Sequence, residues 1–199
     1  MLDFSDILYC VKCELYKNGR CCPFFVPEFY NDYWIIGEAP GKNEILEGLP
    51  FCGPAGDVLW NVAGEFGLKR NNFFIINSVN CRPVIGNKNG KPTPGQMRAC
   101  ETWIEKYLKI LRPKKIILLG DYAMKIIGEG KPTLNNAKVS VENVLGILDT
   151  VVVRSVHPAY AIYNKDLGKD MLKKSFETFV GYETETINKT EDNIIDLFF

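Results

Sequence analysis

Four short apolar runs stand out along the chain: Tyr33–Ile36, Phe73–Val79, Lys115–Leu119 and Thr150–Val156. Each is rich in β-branched and aromatic residues and predicts a buried strand. The stretches between them carry helical spacing. Ala55–Phe66 sets Val58, Leu59, Val62 and Phe66 on one side. Pro94–Leu111 follows Thr93, an N-cap with a first-turn proline behind it, and carries Trp103, Ile104, Tyr107, Leu108 and Leu111. Asp121–Ile127 and Lys169–Val180 are two further predicted helices. Strands alternating with helices predict an α/β fold: a single domain over 1–181, three-layer α/β/α, with a central four-stranded, mostly parallel sheet. The stretch 182–193 is polar and acidic with no core periodicity, and the tail 182–199, which ends in IIDLFF, is expected to be flexible.

In such folds ligands bind at the carboxyl ends of the strands. The unusual residues of this chain fall there: GEAPG at 37–41, NSVNCRP at 77–83, GDYA at 120–123 and HPAY at 157–160. Four loops on one sheet edge are expected to form one pocket.

Composition narrows the picture without deciding it. The 199 residues are 46% hydrophobic and 24% charged, the profile of a soluble globular chain. Formal net charge is zero, so a nucleic-acid partner would need a local basic surface. No apolar run approaches bilayer length, and acids stand where a signal peptide carries bases. The reading is cytoplasmic, with no membrane partner. Seven cysteines in a reducing compartment argue for metal or cluster ligation over disulfides.

The loops carry the candidate chemistry. GEAPG lacks the Lys-Ser/Thr of a phosphate-binding loop and the third glycine of a dinucleotide loop. Glu38 inside it and Glu44 beyond it would repel a phosphate. Tight glycine turns also let a backbone approach a planar ligand. The sole histidine, His157, sits at the rim of the expected pocket; a lone histidine is more often a structural hydrogen-bonder than a catalyst, and this position puts the two readings on an even footing. Asn77 ends the second strand, and its amide offers a donor and an acceptor side by side, the pattern of a nucleobase edge. Phe51 lies in a Pro/Gly-held loop, free of helical spacing, and is a candidate for stacking on a flat ligand. Cys10 and Cys13 form C-x-x-C, and Cys81 and Cys100 follow singly. That pattern suits zinc, redox chemistry or an iron–sulfur cluster. Spacing alone leaves Cys21, Cys22 and Cys52 open.

Taken in order, GEAPG…E, GLPFCGPAG, INSVNCRP and SVHPAY, with cysteines at 10, 13, 81 and 100, resemble the thermophile-type, family 4 uracil-DNA glycosylases over roughly residues 8 to 180. The resemblance implies a central parallel sheet, a [4Fe–4S] cluster on Cys10, Cys13, Cys81 and Cys100, and a pocket for uracil flipped out of DNA. It implies that Asn77 pairs with the uracil edge and that Phe51 stacks on the base. Glu44 would stand by C5, where thymine's methyl would clash. His157 would hydrogen-bond uracil O2. Gly37, Glu38 and Ala39 would lie beside the base and the attacking water, with Glu38 and His157 as the catalytic pair. Ala39 stands where another branch of the superfamily has a water-activating aspartate, which leaves the base unassigned. Ile45 replaces an acid that often follows Glu44. AIYN follows HPAY where an arginine is frequent, so Tyr160, Ile162 and Tyr163 become candidates for the DNA-inserting wedge.

The last eight residues, DNIIDLFF, resemble a sliding-clamp-binding box, with Ile195, Phe198 and Phe199 as its hydrophobic plug. A clamp partner of this type points to an archaeal source. The expectation is a monomeric enzyme that hydrolyses the N-glycosidic bond of uracil in DNA, single- or double-stranded, in base excision repair. The competing readings are a non-catalytic DNA-binding scaffold of the same fold tethered to the clamp, and an unrelated zinc- or cluster-binding α/β protein acting on nucleotides.

Overall fold

The computed structural model describes residues 5–18, 24–28, 32–127, 138–144 and 147–195. Four parallel strands form the centre: β1 (Tyr33–Gly37), β2 (Phe74–Asn77), and two further strands at Lys115–Leu119 and Ile147–Ser155. Between β2 and the third central strand lies a small hairpin of β3 (Val84–Ile85) and β4 (Lys88–Asn89). The third central strand is therefore β5 and the fourth β7, with β6 (Lys138–Val144) preceding it. The sheet order is β2-β1-β5-β7-β6. β1 pairs in parallel with both β2 and β5, and β5 in parallel with β7.

The four parallel strands match expectation; the fifth, antiparallel β6 does not, and corrects the strand number. Its sequence, KVSVENV, alternates weakly and breaks register between Glu142 and Val144, so it lacks the continuous apolar run of a strand buried on both faces. The outer edge of β2 is closed by a single antiparallel bridge. Phe25 and Ile75 exchange both backbone hydrogen bonds at 2.9 Å.

Alternate strand residues feed two cores. Trp34, Ile36, Phe74, Ile76, Ile116, Leu118 and Val152 face one side. Ile35, Ile75, Ile117, Leu119, Val151 and Val153 face the other. All are at least nine-tenths buried, and each contributes about 1.5–3 kcal/mol on burial. The first face is covered by α1 (Ser5–Leu8), by a long helix at Pro94–Leu111 and by a short one at Asp121–Ile126. The second is covered by helices at Pro54–Gly64 and Lys165–Ile195. With α2 (Lys42–Glu47) and a turn of helix at Tyr160–Tyr163, chain order makes these α3 (Pro54–Gly64), α4 (Pro94–Leu111), α5 (Asp121–Ile126), α6 (Tyr160–Tyr163) and α7 (Lys165–Ile195). The layers are α/β/α.

α4 begins where its sequence says. Thr93 Oγ1 accepts from Gln96 N at 3.3 Å, and Gln96 Oε1 accepts from Thr93 N at 2.9 Å, a reciprocal cap. α7 runs well past its predicted end. Residues expected to open a flexible tail at 182 continue its backbone to Ile195, and 196–199 lie outside the described residues. Among the described residues no helix is long and apolar enough to cross a membrane.

Candidate functional site

One cavity of about 840 Å³, solvent at its mouth included, opens at the carboxyl ends of β1, β2 and β7. Ala39, Glu44, Phe51, Asn77 and His157 line it together. Residues separated by more than a hundred positions are thus brought to one place by the parallel sheet. Asp121 and Tyr122 are not in the lining; the loop after β5 stays outside it.

Gly37 lies behind the lining rather than in it. A Cβ there would stand 2.4 Å from Asn77 Oδ1 and 2.8 Å from Phe51 Cζ. The absent side chain is what lets the asparagine and the phenyl ring meet over the end of β1. Glu38 does not line the cavity either. Its backbone oxygen accepts from Ser78 Oγ at 2.5 Å and from Val79 N at 3.1 Å. Burial pushes its carboxyl up, against the pull of Lys91 and Lys125 and with some help from Asp121.

Phe51 holds an unusual backbone. Its φ is 53°, in the left-handed region that non-glycine residues rarely enter. Neighbours fix it there. Its carbonyl oxygen accepts from Trp60 Nε1 at 3.0 Å and from Arg70 Nη2 at 2.9 Å. Arg70 Nη1 also donates to the Pro50 carbonyl. The guanidinium carbon lies 4.8 Å from the Trp60 ring centre, a stacked cation. The Phe51 ring is 6.2 Å from the His157 ring, inclined by 38°.

His157 has a defined tautomer. Its Nδ1 accepts the backbone N–H of Ala159 at 3.2 Å, so the proton of the neutral ring belongs on Nε2. Burial lowers its pKa to about 4. The ring is neutral at pH 7 and still carries a donor. Unfolded, the histidine titrates near its ordinary 6.5. As pH falls from there toward 4, the unfolded chain takes a proton that the folded one refuses. Stability should therefore drop by about 1.4 kcal/mol per pH unit across that window from this group, and no further below it. In kcat/KM, no inflection is expected near pH 6.5; a clear one there would mean that the ring ionises in the working range.

The carboxylate of Glu44 is fixed by two backbone donors, Gly41 N at 3.1 Å on Oε2 and Gly53 N at 3.3 Å on Oε1. Sequence reasoning did not reach Asn43, Asn89 or Pro54, which also line the cavity. Asn89 is held by Arg82 Nε at 2.7 Å. The Gly86-Asn87 pair between two short runs was a hairpin signal that would have found it. Ile162, a wedge candidate, stands in the lining and is 37% exposed, while Tyr163 is 84% exposed.

On the first face of the sheet, Cys10, Cys13, Cys81 and Cys100 line a second cavity with Ile7, Asn80 and Trp103. The N-terminal segment is docked there by Gln96 Nε2 to Glu14 Oε1 at 2.7 Å, Trp103 Nε1 to Cys10 Sγ at 3.2 Å and an Asp6–Lys106 ion pair. Burial, with the neighbouring thiols, pushes the Cys100 thiol up to about 12, and burial raises Cys13 as well. Among the described residues no three His, Cys, Asp or Glu side chains are grouped to hold a metal ion. Cys21 and Cys22 lie outside the described residues, as do Phe198 and Phe199 of the clamp box; Ile195 ends α7.

A profile of the Uracil DNA glycosylase superfamily matches residues 25–180. The chain is 32% identical over 173 residues to the type-4 uracil-DNA glycosylase of Archaeoglobus fulgidus, covering 83% of this chain and 84% of that one. It is 33% identical to the Sulfurisphaera tokodaii protein of the same name (87% and 80% covered) and 33% identical to that of Thermotoga maritima (78% and 79%).

Proposed function

The chain belongs to the uracil DNA glycosylase superfamily, with type-4 enzymes as its relatives, and from that premise we propose that it excises uracil from DNA by hydrolysing the N-glycosidic bond. The observation that carries the proposal is His157: a neutral imidazole with its donor end unclaimed by Ala159, lining the same cavity as Phe51 and Asn77.

The chemistry follows from those groups. A uracil turned out of the stack lies on the Phe51 ring. The Asn77 amide meets its edge, donor to carbonyl and acceptor to N3–H. His157 Nε2–H points to O2. As the bond from C1′ to N1 lengthens, negative charge gathers on the base, and a preformed donor at O2 stabilises it more than it stabilises the ground state. Water captures the sugar cation at C1′, and the base leaves as its anion to be protonated by solvent. Ala39 has no proton acceptor, and Glu38 lies outside the cavity lining, so neither is given a step. The fixed Glu44 carboxylate beside C5 would exclude thymine. Ile162 at the mouth is suited to fill the gap that a flipped base leaves.

The second cavity supports a [4Fe–4S] cluster on Cys10, Cys13, Cys81 and Cys100. Four thiols gathered around one cavity, with burial opposing the ionisation of Cys13 and Cys100, call for a compensating cation. Among the described residues the cavity lining offers four cysteines and no histidine or carboxylate, an all-thiolate donor set of the kind an iron–sulfur cluster takes. When bound, it would brace α1, α4 and the loop after β2. The clamp-binding role of Ile195, Phe198 and Phe199 rests on their sequence pattern alone.

The test is a labelled oligonucleotide with one uracil and a thymine control, treated with alkali after incubation. Cleavage at uracil alone is expected. An uncut uracil strand, with protein folded and cluster bound, would turn the reading to the DNA-binding scaffold.

A further inference from the structure

Asn80 joins the two cavities. Its Oδ1 accepts the backbone N–H of Asn77 at 3.0 Å. That contact fixes which end of the amide is oxygen, because a backbone N–H requires an acceptor. The other arm, Nδ2, is buried and meets no acceptor among the described residues. Asn80 is 1% exposed, lines the cysteine cavity, precedes Cys81 and hydrogen-bonds Cys100 through its backbone. A leucine of similar size would fill the space without stranding a donor. A buried amide that is satisfied at one end and orphaned at the other, beside four thiols, has its missing partner in whatever those thiols hold.

We infer that Asn80 is a bridge: its Nδ2 donates to a sulfur of the iron–sulfur cluster while its Oδ1 holds the Asn77 backbone, so that one side chain positions the base-reading asparagine and tunes the cluster. The inference rests on the cluster proposed above. Trp103 is a second donor in the same cavity, its Nε1 lying 3.2 Å from Cys10 Sγ. It has no hydrogen bond to Asn77, which makes it a control. Donors to cluster sulfur favour the reduced, more negative state and raise the reduction potential. An amide tethered at both ends also removes freedom from Asn77, which should lower KM for uracil-containing DNA.

The experiment uses the full chain, isolated without oxygen and with its cluster. Three quantities are read: iron–sulfur stretching frequencies by resonance Raman in H2O and D2O, the cluster's midpoint potential, and kcat and KM on a uracil oligonucleotide. Asn80→Leu is expected to lower the potential, lose part of the deuterium sensitivity and raise KM several-fold. Trp103→Phe is expected to change the cluster signals and leave KM alone. Should Asn80→Leu not fold, Asn80→Ser carries the same test, since a hydroxyl is too short to span both contacts. Wild-type cluster signals in the Asn80 variants, or an unchanged KM, would overturn the bridge. Failure of the underlying reading looks different: the unmutated chain would lack cluster absorbance or leave uracil in place.

Discussion

Asn77→Asp is expected to slow single-turnover excision of uracil by about 10³–10⁴-fold, because a site built around a donor and an acceptor rejects a mismatch far more strongly than a hydrophobic pocket does. Asn77 is 3% exposed and ends β2, with Gly37 directly behind it. A side chain packed that closely cannot swing away to relieve a clash. The aspartate would be nearly the same shape but would offer two acceptors. One of them would face the uracil carbonyl, so that only the oxygen toward N3–H would meet a donor while the whole carboxylate is buried. The fold should survive, since the loop after β2 is pinned by Ser78 N to Gly37 O at 2.8 Å and by the Asn80 contact to the Asn77 backbone, neither of which uses the changed side chain. Rapid-quench kinetics with folded variant would settle the point; a rate within tenfold of the parent would mean that Asn77 does not read the base.

The second large effect is expected at a residue outside the cavity. Arg70→Met should lower stability by about 2–4 kcal/mol, since the Pro50 and Phe51 carbonyls would lose the guanidinium that both accept from. Phe51 would keep only Trp60 Nε1 to hold a backbone that otherwise prefers negative φ. The ring would then leave its place in the cavity. Base–aromatic stacking is worth about 1–3 kcal/mol, so excision should fall by roughly tenfold or more. Arg70→Lys would supply one donor instead of two and should fall between. Denaturant midpoints together with KM check both parts. A variant as stable as the parent would show that the carbonyls find other donors; a stable-as-expected loss without a change in KM would separate Phe51 from uracil binding.

The contrast between these residues shows what can be read from a chain alone. Asn77, Phe51, His157, Glu44 and Ala39 were legible because each sits at a strand end or in a Pro/Gly-held loop, and a parallel sheet must bring such loops to one edge. The strands β1, β2, β5 and β7 were legible because burial on both faces demands unbroken apolar runs. Arg70 was not, because its partners lie 19 and 20 residues earlier and no local pattern links them. β6 was missed because a strand paired on one side only needs no such run. Glu38 shows the opposite limit. Its place in the motif suggested the cavity, but the direction of a side chain depends on backbone geometry that composition does not carry. The extent of α7 beyond Val180 was hidden for a similar reason: a helix can continue in polar sequence once its first turns are anchored on a core, here by Leu172, Phe176 and Phe179.

The bridge between Phe25 and Ile75 bears on how copies of this chain behave toward one another. β2 is the outermost parallel strand, and its apolar residues would make an open edge a template for stacking one molecule's sheet on the next. Two reciprocal hydrogen bonds at its second residue occupy the middle of that edge with the chain's own backbone. Phe25 thereby puts the chain's own backbone where a second molecule's strand would have to pair, a guard against intermolecular sheet extension in concentrated or heated solution.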